Sequence, residues 1–200
     1  MPWDIPELHT HTGTYVTIRP LDAERDVEHL YAAGHASSTH LYTWQYLPYG
    51  PFLNVDSFYQ WLIQQQASRD PLFHTVFENA TGRAVGMTSI MSIVAQSGRA
   101  ELGHIWYDVD IQRSACTSEA THLLLYYLFD TLGYRRVEWK CDNRNIRSKS
   151  AAARFGFRFE GLFRQHLIVK NQNRDTAWFA MIDSDWTQIQ RAQKSDLLRN

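Results

Sequence analysis

QRSACTSEA, Gln112 to Ala120, decides how the chain reads. Before it, ELGHIWYDV (Glu101 to Val109) is rich in strand-favouring residues. After it, THLLLYYLFDTLG places Ala120, Leu123, Leu124, Tyr127, Leu128 and Thr131 at helical spacing. The order is strand, short polar loop, helix. A loop of this kind presents free backbone N–H groups at the positive end of a helix dipole, which suits an anion such as a phosphate. A second strand, RRVEWKC (Arg135 to Cys141), and a second helix, NIRSKSAAARF, follow. They close at Gly156, where a helix end needs a residue free to take positive φ.

Working outward, the N-terminal half contributes an opening strand from Thr14 that stops at Pro20, and a helix capped by Asp22 and ended by Gly34. An irregular aromatic stretch, HASSTHLYTWQYLPYGPF, leads to a helix started near Asn54 or Asp56. The turn signal Thr81-Gly82 joins FHTVFEN and AVGMTSIMSIV into a hairpin. The C-terminal half adds FRFEGLFRQHLIVK and DTAWFAMID as two strands, then a helix that Ser184 can cap. No repeat, low-complexity segment or linker interrupts the chain. The pattern is an α/β domain with a mixed sheet. It divides into a tail at 1–13, one domain at 14–186 and a C-terminal helix or tail at 187–200.

Two hundred residues, 44% hydrophobic and 20% charged, describe one globular domain. A formal net charge of −1 leaves no footprint for nucleic acid or an anionic membrane. No secretory signal or membrane span is visible, and the cysteines Cys116 and Cys141 do not make a disulfide framework. The expectation is a reduced, cytoplasmic protein. Whether it pairs into a homodimer is left open.

The run QRSACT, followed one helix and one strand later by NIRSKSAAARFGF, resembles the GNAT superfamily of CoA-dependent N-acyltransferases. Within it the chain most resembles the RimJ/RimL-like branch of ribosomal-protein N-terminal acetyltransferases and their small-molecule relatives. ELGHIWYDV, FRFEGLFR and AWFAMIDSDW add to the match, which extends over about Thr14 to Trp186. The resemblance implies a mixed sheet of about six to seven strands, splayed at the central strand. It also implies acetyl transfer from acetyl-CoA to a primary amine, a protein N-terminus or a small molecule, by direct attack and without a metal. Another donor such as succinyl-CoA, or a binding module without turnover, stand as alternatives.

The same resemblance, with the placement of Glu101 on the central strand and of the aromatic residues in one loop, suggests the site. Gln112, Arg113, Ser114, Ala115, Cys116 and Thr117 would cradle the CoA phosphates, with Ala115 where the family usually has glycine. The backbone of Ile105, Trp106 and Tyr107 would hold the pantetheine arm, and Asn145 would hydrogen-bond it. Ser148 would stand beside the departing sulfur, since Ala152 occupies the place of the tyrosine acid found in many relatives. Glu101, narrowly preferred, or Glu160 would deprotonate the amine. His104 alternates to the opposite strand face from Glu101 unless a bulge intervenes, and reads as structural. Trp44, Tyr46, Tyr49 and Phe52, in one Pro/Gly-punctuated loop, would form the acceptor wall. His9 to His11 has no acidic or cysteine partner nearby and reads as polar tail.

Overall fold

The computed structural model describes residues 2–197, with side chains through residue 190. Eight strands form one sheet: β1 (His11–Thr12), β2 (Val16–Pro20), β3 (Leu72–Glu78), β4 (Ala84–Val94), β5 (Arg99–Tyr107), β6 (Arg136–Asp142), β7 (Arg158–Val169) and β8 (Gln172–Ile182). Their spatial order is β1-β2-β3-β4-β5-β6-β8-β7. The helices are α1 (Ala23–His35), α2 (Val55–Gln66), α3 (Ala115–Tyr126), α4 (Ile146–Phe155) and α5 (Asp183–Leu197).

Local chemistry accounts for most of these boundaries. The Asp22 side chain accepts the Arg25 N–H at the start of α1, and Asn54 with Ser57 forms a reciprocal capping box on α2. Gly156 takes φ +93° beyond α4, a conformation that costs a side-chain-bearing residue energy. Ser184 does not cap the last helix, which begins at Asp183. Instead Asp185 turns back to accept the Ile182 N–H at 3.3 Å.

Residues 3–13 are not a free tail. Trp3 donates its indole N–H to the Gly133 carbonyl at 2.6 Å, Tyr134 donates to the Asp4 carbonyl at 3.1 Å, and His11–Thr12 pairs with β2. One carboxylate, Glu119, accepts the N–H groups of Thr14, Tyr15 and Val16. This short edge strand raises the count above the expected six to seven, because two residues carry no periodicity to detect.

The sheet separates two apolar layers. Leu124, Leu128, Val137 and Trp139 lie in the layer beneath α3 and α4. Leu30, Trp44, Phe58, Leu62 and Trp106 lie in the other, beneath α1 and α2. Among the described residues the only parallel pairing is β5 with β6. It runs from Arg99↔Arg136 to Glu101↔Glu138 and stops, while β5 continues to Tyr107 and β6 to Asp142. The two strands therefore part after Glu101, leaving an unpaired backbone edge in the middle of the sheet.

Candidate active site

A cleft of about 720 Å³ opens where β5 and β6 part. Its floor is β5 from Glu101 to Tyr107, and one side is β6 with the start of α4. The roof comes from the segment Tyr42–Pro48 on one side and His166, Leu167, Val169, Arg174 and Thr176 of the β7–β8 hairpin on the other. Lys170 ties the two roof pieces together by donating to the Trp44 carbonyl at 2.7 Å.

At the root of the splay the charges form a ladder. Glu101 Oε2 accepts from Lys140 Nζ at 2.7 Å and from the Ser92 hydroxyl at 3.1 Å. Lys140 also meets Glu138 at 3.0 Å, and Arg136 bridges Glu138 to Glu160. Glu101 lines the cleft, and Oε1 has no described partner. Glu160 is placed differently. Arg136 clamps both its oxygens, at 2.9 and 2.6 Å, the guanidinium holds its carboxyl below the usual range, and it lies outside the cleft lining. The expectation that Glu160 serves as a base fails on position.

Ser148 and Asn145 enter from α4. Asn145 Oδ1 accepts the Ser148 N–H at 3.0 Å, capping the helix. Ser148 Oγ accepts the indole N–H of Trp139 at 2.9 Å. An oxygen already accepting from Trp139 is left with its own proton to donate. Trp139 was not among the residues singled out from sequence, where RRVEWKC reads as an ordinary buried strand.

The phosphate-loop residues divide. Gln112, Arg113 and Thr117 line the cleft, whereas Ser114, Ala115 and Cys116 do not. Ala115 opens α3, and Ser114 makes no side-chain cap to it. The Ser114 hydroxyl is buried without a partner, and the first N–H groups of α3 have no intrahelical acceptor. An anion here would satisfy both. The residue in a glycine-like conformation is Arg113, at φ +64°, and not Ala115, where the glycine was expected. Burial pushes the Cys116 thiol up, so it is a packing group rather than an activated thiolate. Arg147 and Arg154 also face the cleft, while Lys149 turns to Asn143 at 3.1 Å.

The expected acceptor wall needs correction. Trp44 is 0% exposed and donates to the Gly34 carbonyl at 2.9 Å. A Cβ on Gly34 or Gly50 would meet its ring at 2.5 or 2.7 Å. Trp44 is thus the centre of the second core, with Phe52 packed edge-on against it at 5.6 Å. Tyr49 sits behind the cleft surface, touching His104. Only Tyr46 of the four lines the cleft, its hydroxyl donating to the Arg144 carbonyl at 3.3 Å. Leu47 and Pro48 of the same stretch line the cleft beside it, as do residues of the β7–β8 hairpin, which no local sequence signal marks.

Of the backbone positions expected to hold pantetheine, Ile105 and Trp106 lie on the open edge. The Tyr107 carbonyl already accepts from Thr43 at 3.2 Å and Gln112 at 3.3 Å. A bulge does intervene on β5. Met87 faces Trp106 and Ser89 faces Gly103, so His104 and Ile105 stand against Thr88 alone, with His104 at φ +51°. His104 thereby joins Glu101 in lining the cleft.

Among the described residues, one group could bring three metal-ligand atoms within 4.8 Å: His40, Asp108 and Asp110. These hold one another, His40 Nε2 lying 3.3 Å from Asp108 Oδ1, which accepts the Asp110 N–H. No described helix is long and apolar enough to cross a membrane.

A family model described as Acetyltransferase (GNAT) domain matches residues 16–158. The chain belongs to the GNAT acetyltransferase family. A GCN5-related N-acetyltransferase structure from Brucella melitensis is 40% identical, over 97% of this GNAT chain and 87% of its own, with a TM-score of 0.93. A GNAT-family structure from Chromobacterium violaceum ATCC 12472 is 37% identical, over 94% of this chain and 92% of its own, with a TM-score of 0.86. Among curated proteins, "Putative ribosomal N-acetyltransferase YdaF" of Bacillus subtilis is 26% identical over 52% of this chain and 57% of its own length. That relative agrees with the RimJ/RimL-like branch, and the chain spans little more than half of it. In a GNAT protein the splayed β5–β6 pair and the loop before α3 are where acyl-CoA is expected, and the residues fit: an open strand edge, an unpartnered Ser114 hydroxyl and free N–H groups of α3.

Proposed function

We propose that this protein transfers acetyl from acetyl-CoA to a primary amine by direct attack in the β5–β6 cleft. The observation that carries the reading is the convergence of Glu101 and Ser148 on that cleft, from opposite sides of the splay. Acetyl-CoA supplies an acyl group activated as a thioester. Gln112, Arg113, Thr117 and the α3 N–H groups hold its phosphates, and the open edge at Ile105 and Trp106, with Asn145, aligns its arm. Glu101 Oε1 accepts a proton as the amine nitrogen bonds to the acyl carbon. Ser148, oriented by Trp139, donates to the sulfur as the carbon–sulfur bond breaks. Positioning does most of the work.

The acceptor enters between Tyr46–Pro48 and the β7–β8 hairpin. A peptide N-terminus is the favoured class, in line with the ribosomal acceptor named for YdaF. Release of free thiol from acetyl-CoA across a panel of peptides and small amines tests the reading. Amine-dependent release supports it. CoA binding with no release for any amine would instead indicate a binding module.

A further inference from the structure

The bulge on β5 turns His104 into the cleft in a defined protonation pattern. Its Nδ1 lies 3.2 Å from the Tyr49 hydroxyl, the rings nearly parallel at 18° and 5.6 Å apart. Phe73 closes the other side at 5.0 Å. The Tyr49 O–H has no other acceptor among the described residues, and burial raises its phenol far above the usual range. A half-buried hydroxyl with a single acceptor beside it donates to that acceptor, because an unmade hydrogen bond costs about 1–3 kcal/mol. Tyr49 therefore donates to Nδ1. A neutral imidazole that accepts at Nδ1 carries its proton on Nε2. Burial also pushes the His104 pKa down to about 4, so the ring is neutral at physiological pH. Nε2 has no described partner and is not closed off from solvent, while the residue lines the cleft.

We infer that His104 is an uncharged Nε2–H donor that selects acceptors bearing an oxygen, as carbonyl or hydroxyl, beside their amine. The inference rests on the reading of this cleft as the acceptor site. It has two consequences. His104 cannot act as the base, because the lone pair that would take a proton points at Tyr49. An amine with only hydrocarbon beside the nitrogen displaces the water that reaches Nε2 without replacing its hydrogen bond, at a cost of about tenfold in affinity. An amino-acid amide or a peptide N-terminus satisfies it.

The first test is the tautomer itself, read by long-range proton–nitrogen NMR of the histidines at pH 7. Nε2–H at His104 is expected, with Tyr49→Phe freeing the ring to exchange tautomers. An Nδ1–H ring in the wild-type protein overturns the inference. The second test compares alaninamide with 2-aminobutane at equal free-base concentration. Wild type should favour alaninamide by about tenfold in kcat/KM. His104→Phe should abolish the preference, and His104→Gln, whose amide nitrogen reaches the Nε2 position, should keep part of it. CoA titration confirms that each variant is folded. Equal use of both amines by wild type, or a preference surviving His104→Phe, overturns the His104 assignment alone. Absence of thiol release with any amine overturns acetyl transfer as well.

Discussion

The Trp139 indole donates to Ser148 Oγ across 2.9 Å, joining β6 to the first turn of α4 at the point where the sheet splits. In the proposed reaction, a serine oxygen that accepts from Trp139 donates its own proton toward the leaving sulfur. Ser148→Ala should lower kcat by a smaller factor than loss of the base, since water can protonate a thiolate. Trp139→Phe should lower it further still only if packing fails. With packing intact it matches Ser148→Ala, and the double variant adds nothing. Additive losses in that double-mutant cycle would separate the two residues.

Glu101 is the one proposed base that the structure leaves in the cleft. Glu101→Gln should cost roughly 10²–10⁴-fold in kcat at pH 7 and recover partly near pH 9, where free amine is abundant. Glu160→Gln should leave the pH–rate profile in place, because that carboxylate is clamped by Arg136 away from the cleft. Steady-state profiles of the two variants decide between them.

Trp44 and Tyr46 should behave oppositely. Removing the fully buried Trp44 indole costs about 3–5 kcal/mol, so Trp44→Ala should unfold at a much lower temperature whatever its substrate. Tyr46→Ala should stay folded and raise the acceptor KM. Calorimetric melting with acceptor kinetics on the survivors checks both.

Arg113 combines a cleft-facing charge with a left-handed backbone. Arg113→Ala and Arg113→Gly should lose similar CoA affinity, since each removes the guanidinium. The glycine variant should be more stable than the alanine variant by about 1 kcal/mol, the order of the αL penalty for a side-chain-bearing residue. Equal melting temperatures would deny the strain.

Acid should destabilise the fold through His74. Its ring is 0% exposed, and burial, with His11 and His9 nearby, pushes its pKa down to about 3. The unfolded chain binds a proton near pH 6.5 that the folded chain refuses, so stability falls as pH drops from 6.5 toward 3. His74→Leu should flatten that dependence in denaturant titrations.

Much of this was legible in the sequence for identifiable reasons. Asp22, Asn54 and Gly156 mark helix ends by local hydrogen bonding or φ, and QRSACT with Asn145–Ser148 carries the resemblance to the GNAT family. The side of the cleft proposed for the acceptor was not legible, because it is made by distant segments meeting. Trp44 looks like a loop aromatic until Gly34 and Gly50 are seen to make room for it. Glu160 looks like a base until Arg136, adjacent only through the sheet, is seen to hold it. His104 changes faces through a bulge that its sequence does not announce.

The central claim is amine acetylation in the splayed cleft. The most direct measurement follows carbon-13-labelled acetyl-CoA by NMR with a peptide amine present. The account predicts an N-acetyl signal growing in step with free CoA thiol, and its near loss in Glu101→Gln at pH 7. Acetyl-CoA that is bound but unchanged, or converted only to acetate, would contradict it.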